Sequence, residues 1–260
     1  MTNVSHKYAG NLSFYDYIID AGGEGDNTSI AAGLTAAGAN ASVFIKNGAY
    51  TETSDCAVLS GQRIYFDSPV ITLNGCVLSA AGSSVAAGRV TLEGTGNAAN
   101  RRLFFMIGDY NNWANCRVIL NPTGAGLTVG SSNLVTCIIA TAEFNSANIL
   151  ARDLAYNSNT NMYLVYVSNT VSHSRIKVVL DNIDNAGTAN ISGLRLLTGT
   201  TDSYFEAIID DVTASGAGTG YGLLIDSGAN DNTIVGVGKN SDVDLSNGGT
   251  NNDVDAYNTA

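Results

Sequence analysis

Residues 174–202 read SRIKVVLDNIDNAGTANISGLRLLTGTTD, and residues 203–231 read SYFEAIIDDVTASGAGTGYGLLIDSGAND. The two lie on each other without a gap. Ile176 falls on Phe205, Val179 on Ile208, Leu180 on Ile209 and Asp181 on Asp210. Ile183 falls on Val212, Gly187 on Gly216, Gly193 on Gly222, Leu196 on Ile225 and Gly199 on Gly228. The register runs forward into Asn232-Thr233-Ile234-Val235-Gly236-Val237. It runs back to Ile149, Leu150, Leu154, Val165 and Val167. Upstream of about residue 145 the period blurs and insertions are needed.

A repeat of 20–50 residues signals a solenoid, propeller or array. No unit holds a stretch of 3.6-residue periodicity long enough for a helix. Each has short β-type runs separated by Gly, Asn, Asp and Thr turns. A four-stranded propeller blade needs roughly 40 residues, so the unit fits one coil of a parallel β-helix. Equivalent residues then stack about 4.8 Å apart, and the chain makes roughly eight to ten coils. Inward rows stay aliphatic: Val165, Leu194 and Leu223, beside Val167, Leu196 and Ile225. The outward row between them varies freely: Tyr166, Arg195, Leu224. Lys177 stacks on Glu206 as a favourable cross-strand pair. Asn182, Asp211 and Asn240 share a turn position suited to an amide ladder.

Composition agrees. The chain has 260 residues, 29 Gly, 2 Pro and 13% charged residues, with a net charge of −11. Asn is as frequent as Gly, whereas Glu and Lys number five and four. Helical bundles need the reverse. A hydrophobic content of 45% supports a core and excludes global disorder. The acidic balance argues against nucleic acid, which requires a basic footprint. No apolar run follows Met1, so no signal peptide is expected, and no stretch is long enough for a transmembrane helix. Cys56, Cys76, Cys116 and Cys137 form no metal-ligand spacing. They read as buried thiols, with Cys56 beside Cys76 and Cys116 beside Cys137 in successive shorter coils.

Solenoid ends must be covered. Residues 26–38 fit a short capping helix. Asp26, Asn27 or Thr28 serves as N-cap, Ile30, Leu34 and Ala37 share a face, and Gly38 ends it. The expected division is residues 1–40 as extension and cap and residues 41–260 as one β-helix.

Beyond this helix, SVFIKNGAYTE and VLSGQRIYFDSPVITLNG carry an aliphatic strand, the turn Gly48-Ala49-Tyr50, and Gly61 before the next strand. This order resembles the entry into pectin-lyase-like right-handed parallel β-helices, though Lys46-Asn47 stand where that family usually has proline. The resemblance spans roughly residues 18–80 and 145–250. It implies an all-β, right-handed parallel β-helix with a short N-terminal capping helix. Members include pectate lyases, polygalacturonases and phage tailspikes, and fold alone does not choose among them.

Polygalacturonases of that family carry Asn-Thr-Asp, Asp-Asp, Gly-His-Gly and Arg-Ile-Lys. Here Arg175-Ile176-Lys177 precedes Asp210-Asp211, the reverse of the family order. The other two motifs are missing, and Ile176 points to the core. His173 reads as a turn histidine. The carboxylates Asp181, Asp210, Asp211 and Glu206 are the catalytic candidates, since glycosidases pair two carboxyls about 5–9.5 Å apart. The competing reading is a solvated turn ladder. A Ca²⁺ site there needs six to eight oxygens. Tyr110, Trp113, Tyr166 and Arg195 are the carbohydrate-binding candidates. Strict alternation cannot bury both Val178/Ala207/Gly236 and Val179/Ile208/Val237. If the second row faces out, it is an apolar stripe suited to association, and a parallel homotrimer is the expectation.

The functional expectation is a bacteriophage virion surface protein: a tailspike, fibre or capsid-decorating β-helix. It would assemble in the host cytoplasm, contact other virion proteins and touch host polysaccharide, without nucleic acid or membrane partners. The alternatives are a polysaccharide lyase or glycoside hydrolase of the same fold, and a bacterial surface adhesin.

Overall fold

The computed structural model describes residues 14–97, 101–124, 134–168 and 170–255. Strands of two large sheets alternate along the chain. The long sheet runs through Tyr17–Ile19, Ser42–Ile45, Arg63–Gly75, Val85–Asn97, Asn112–Pro122, Ser146–Tyr156, Arg175–Asn185, Tyr204–Thr213, Thr233–Lys239 and Asp253–Asp255 in that order. Ala49–Glu52 joins it by pairing with Arg63–Gly75. The short sheet runs through Cys56–Val58, Leu78–Ala80, Phe104–Ile107, Leu134–Ala140, Met162–Val167, Ile191–Leu196, Gly220–Ile225 and Val243–Asn247. Every pairing within them is parallel, and each coil adds one strand to each. This is an all-β parallel solenoid. No helix among the described residues is long and apolar enough to cross a membrane.

The register is the one that the repeat predicts. Ile176 pairs with Phe205, Lys177 with Glu206, Val179 with Ile208 and Asp181 with Asp210. Ile176, Val178, Leu180, Phe205, Ala207 and Ile209 are fully buried. Each large side chain removed from water contributes about 1.5–3 kcal/mol, and the rows merge into one continuous core. The long strands bend where alternation slips. Asp153, Asn182, Asp211 and Asn240 have φ of +53°, +53°, +56° and +59°, so Leu180 and Ile183 both face inward across the bend. The expected ladder forms in part: the Asn182 amide donates to Asp153 at 2.8 Å, but that of Asn240 reaches Asp210 at 2.7 Å. Gly187 and Gly216 sit where coils touch. A Cβ at Gly216 would strike the Gly187 carbonyl, and one at Gly187 that of Ser158.

The helix Ile30–Ala37 lies against Cys56–Val58 and Tyr17–Ile19, the terminal strands of the two sheets. Ser29, rather than Asp26, Asn27 or Thr28, is its N-cap, accepting from the Ala32 N–H. Buried Glu52 fixes this choice. It accepts from the Ser29 hydroxyl at 2.9 Å and the Ile30 N–H at 2.6 Å. Tyr50 of the Gly-Ala-Tyr turn is buried, with its hydroxyl 2.9 Å from the Lys46 carbonyl oxygen.

One corner runs the length of the molecule. Asn40, Gly61, Ser83, Tyr110, Phe144, His173, Asp202, Asp231 and Asn251 each stand two residues before a long-sheet strand. All nine have φ between +49° and +73°. The next residue is Gln62, Ser84, Asn111, Asn145, Ser174, Ser203 or Asn232 in seven coils, each buried despite its polarity. The turn takes that residue's N–H out of the strand ladder; the Gln62 N–H donates to the Leu59 carbonyl, and from Ser84 onward a side chain one coil on accepts it. Asn111 N–H donates to Asn145 Oδ1 (2.7 Å), Asn145 N–H to Ser174 Oγ (3.1 Å) and Ser174 N–H to Ser203 Oγ (3.2 Å). Ser203 N–H donates to Asn232 Oδ1 (3.2 Å), and Asn232 N–H to Asn252 Oδ1 (3.0 Å).

The cysteines are free and buried. Burial pushes the Cys76 thiol up to about 11 and that of Cys116 up to about 12, and raises Cys56 and Cys137 further. None is a thiolate near neutral pH. Cys56 does lie beside Cys76, its N–H donating to the Val77 carbonyl at 2.9 Å, but the two are not register partners, and Cys116 and Cys137 do not stack. Cys56 pairs in register with Leu78, and Cys116 belongs to the long sheet while Cys137 belongs to the short one.

Candidate functional site

The outer face of the short sheet brings two predicted residues together. Tyr166 and Arg195 are register partners on adjacent coils. Beside them run Tyr163, Ser192 and Tyr221, partners on three successive coils. Between these outward rows, Gly193 faces inward, where its missing Cβ leaves room for Leu180 and Val212. The two outward rows are thus three residues apart.

Arg195 is the centre of the cluster. Its Nη2 lies 2.8 Å from Asp226 Oδ2, and its Nε lies 3.2 Å from both Asp226 oxygens. The guanidinium carbon sits 4.7 Å from the Tyr163 ring centre and 6.0 Å from that of Tyr166. The two rings lie 5.3 Å apart and tilted by 39°. Fork and carboxylate hold each other in plane, and the rings hold the fork. Burial raises the Tyr166 phenol above its ordinary value, so it stays a neutral hydroxyl donor. Next to this cluster, Asn161, Tyr163, Asn190, Ser192, Arg195, Tyr221, Leu224 and Ser246 line a recess of about 230 Å³. That volume lies below the usual range for a drug-sized ligand and suits one sugar ring. Amides, hydroxyls and a guanidinium on aromatic walls offer donors and acceptors to sugar hydroxyls and flat faces to C–H groups. Tyr163, Asn161, Asn190 and Tyr221 were missed by sequence reasoning. The 29-residue register does join Tyr163 to Ser192 and Tyr221.

The other carbohydrate candidates separate. Tyr110 is exposed at the left-handed corner, stacked on Phe144 with centroids 5.4 Å apart; Phe144 stacks in turn on His173 at 5.1 Å. A positive φ is unfavourable for so bulky a residue, and ring stacking offsets part of that cost. Trp113 is corrected: it is fully buried, packed on Phe66 and Phe104, with its indole N–H donating to Ser84 Oγ at 3.0 Å. It is a core residue and faces no ligand.

The carboxylate candidates are held by cations. Asp181 lies 3.6 Å from Arg152, Asp210 lies 3.0 Å from Lys239, and Glu206 pairs with Lys177. The Asn240 amide and then Lys239 hold the Asp210 carboxyl below the usual carboxylate range, so it is a poor proton donor. Asp181 and Asp210 are register partners on adjacent strands, about 4.8 Å apart as the repeat predicts, whereas Glu206 does not adjoin Asp210. They share a strand four residues apart, about 13 Å at the strand rise, beyond the spacing of a catalytic pair. Asp211 takes the left-handed bend beside them. Among the described residues, no group of three or more His, Cys, Asp or Glu side chains is placed to hold a metal ion.

The stripe question is resolved. Val178 and Ala207 are buried and Val179 and Ile208 face outward, Ile208 being exposed. Val237 is the backbone register partner of Ile208, and its side chain lies outside the described residues. In comparison with known proteins, the chain matches no family model, no curated protein and no solved structure.

Proposed function

We propose that this chain is a glycan-contacting structural β-helix of the pectin-lyase-like, right-handed type, with the helix Ile30–Ala37 as its cap. Its place is the surface of a bacteriophage particle, as a tailspike, fibre or capsid-decorating component. The observation that carries the reading is the recess beside Arg195. It combines aromatic walls, two amides, two serine hydroxyls and a guanidinium fixed by Asp226. Such a site binds a sugar without needing a proton donor or nucleophile. Three of the four candidate carboxylates, Asp181, Glu206 and Asp210, stand in ion pairs on the other sheet.

The test is a glycan array followed by calorimetry on the best ligand, with purified wild type, Arg195→Ala and Tyr221→Ala. Both variants are expected to lose at least tenfold in affinity while keeping the wild-type circular dichroism. Binding unchanged by either variant, or no binding to any bacterial surface glycan, would overturn the glycan reading. Mass spectrometry of purified particles tests the virion assignment separately.

A further inference from the structure

We propose that the outer face of the long sheet binds a second copy of this chain, antiparallel to the first. Three outward rows make up its centre. The middle row is apolar: Ile119, Leu150, Val179 and Ile208 are successive register partners. One flanking row reads Arg89, Arg117, Asn148, Lys177, Glu206. The other includes Glu93 on one coil and, on later coils, Arg152, Asp181, Asp210 and Lys239 as successive partners. The face is therefore polar along the solenoid axis. From Val85–Asn97 to Ser146–Tyr156 it carries Arg89, Arg117 and Arg152 against Glu93, whereas from Arg175–Asn185 onward it carries Asp181, Glu206, Asp210, Asp253 and Asp255 against Arg175, Lys177 and Lys239. These six cations are half of the chain's twelve, on one face of a chain with net charge −11.

A two-fold axis between the strands Ser146–Tyr156 and Arg175–Asn185 makes this pattern self-complementary. Ile119 then meets Ile208 of the other copy, and Leu150 meets Val179. Arg117, which has no acidic partner among the described residues, meets Glu206. Arg152 meets Asp181, and Glu93 meets Lys239. A parallel trimer instead brings together equal heights. The strand Asn112–Pro122 carries no carboxylate, so docking at equal heights would offer Arg117 no acidic partner. Six coils at about 4.8 Å by four outward rows give roughly 29 Å by 20 Å, near 1,200 Å² over both copies. That clears the ~1,000 Å² expected of a biological interface.

Sedimentation equilibrium from micromolar to millimolar concentration is expected to give a species of twice the 26.9 kDa chain mass. Val179→Glu should weaken it at least tenfold without changing the circular dichroism, since position 179 faces outward. Orientation is read by mixing Ile119→Cys with Ile208→Cys under oxidation. The four native cysteines are buried and do not compete. Antiparallel docking gives cross-links between the two variants and none within either. A monomer at millimolar concentration, a trimer, or Ile119→Cys cross-linking to itself would each overturn the proposal. Glycan binding at Arg195 is on the other sheet, so its outcome is independent.

Discussion

The later and earlier coils solve the same problem with different regularity. From Asn145 to Ser174, Ser203 and Asn232, the buried corner recurs every 29 residues. Before that, the steps are 27 residues from Ser84 to Asn111 and 34 from Asn111 to Asn145. Yet both regions keep the same device: a left-handed residue, then a buried polar one whose N–H bonds to the next coil. What the fold conserves from coil to coil is the corner, not the length of chain between corners. The core differs accordingly. Both regions bury aliphatic rows, and the later coils add single rings such as Tyr156 and Phe205, whereas the earlier coils of uneven length also hold a contacting group, Phe66, Phe104 and Trp113, with Trp113 5.1–5.8 Å from the other two rings.

The sharpest way to break that contrast is Trp113→Ala. No aliphatic row stands ready to close the space, so the loss should be about 3–5 kcal/mol, as for other buried large aromatics. Urea denaturation measures it. Ile209→Val in a regular coil should cost about 0.5–1.5 kcal/mol. Equal costs for the two would show that the irregular coils do not depend on their aromatics.

The corner itself should be indifferent to region. Ser174→Ala removes the acceptor of the Asn145 N–H, and Asn145→Ala removes that of Asn111. Each leaves a buried N–H unsatisfied, at about 1–3 kcal/mol. Asn145→Ser should recover much of the loss, because Ser fills the same place at positions 174 and 203. A shift in denaturation midpoint for one variant but not the other would break the equivalence.

The repeat was legible because it is aliphatic and regular. Rows such as Leu194–Leu223 declare their inward face by composition alone, and the register followed from them. The corner was equally present in the letters, as Asn or Ser before each long-sheet strand from Val85–Asn97 onward. It passed unread because polar residues beside turns look solvated, and burial comes from closing the coil. Trp113 was misplaced for the same reason. Its neighbours Asn111 and Asn112 suggest an open loop, but Asn111 is itself buried and the strand starts at Asn112. At the recess, the 29-residue register joins Tyr166 to Arg195. Nothing in the sequence predicts that Asp226, beyond the next strand, folds back to grip the guanidinium.

Two smaller effects probe the bend of the long strands, which only the regular coils place in one column. Asn182 has φ +53° and donates to Asp153. Asn182→Ala should cost about 1–2 kcal/mol, the penalty for a Cβ in the left-handed region without a local polar contact. Asn182→Gly should stay within a few tenths of wild type.

The smallest effect is at Asp210, just before the next bend. Its carboxyl is held below the ordinary value by the Asn240 amide and Lys239. A carboxylate with a lowered folded pKa contributes stability above its unfolded pKa of about 3.9 and loses it as pH falls through the folded pKa. Asp210→Asn should therefore be slightly less stable than wild type at pH 7, and the gap should close below about pH 4. The site is exposed and salt-screened, so the gap should also shrink at high ionic strength. Thermal melts across pH and salt measure it. A gap that widened in acid would mean that the pair is not what lowers this carboxyl, and that the bend rests on backbone geometry alone.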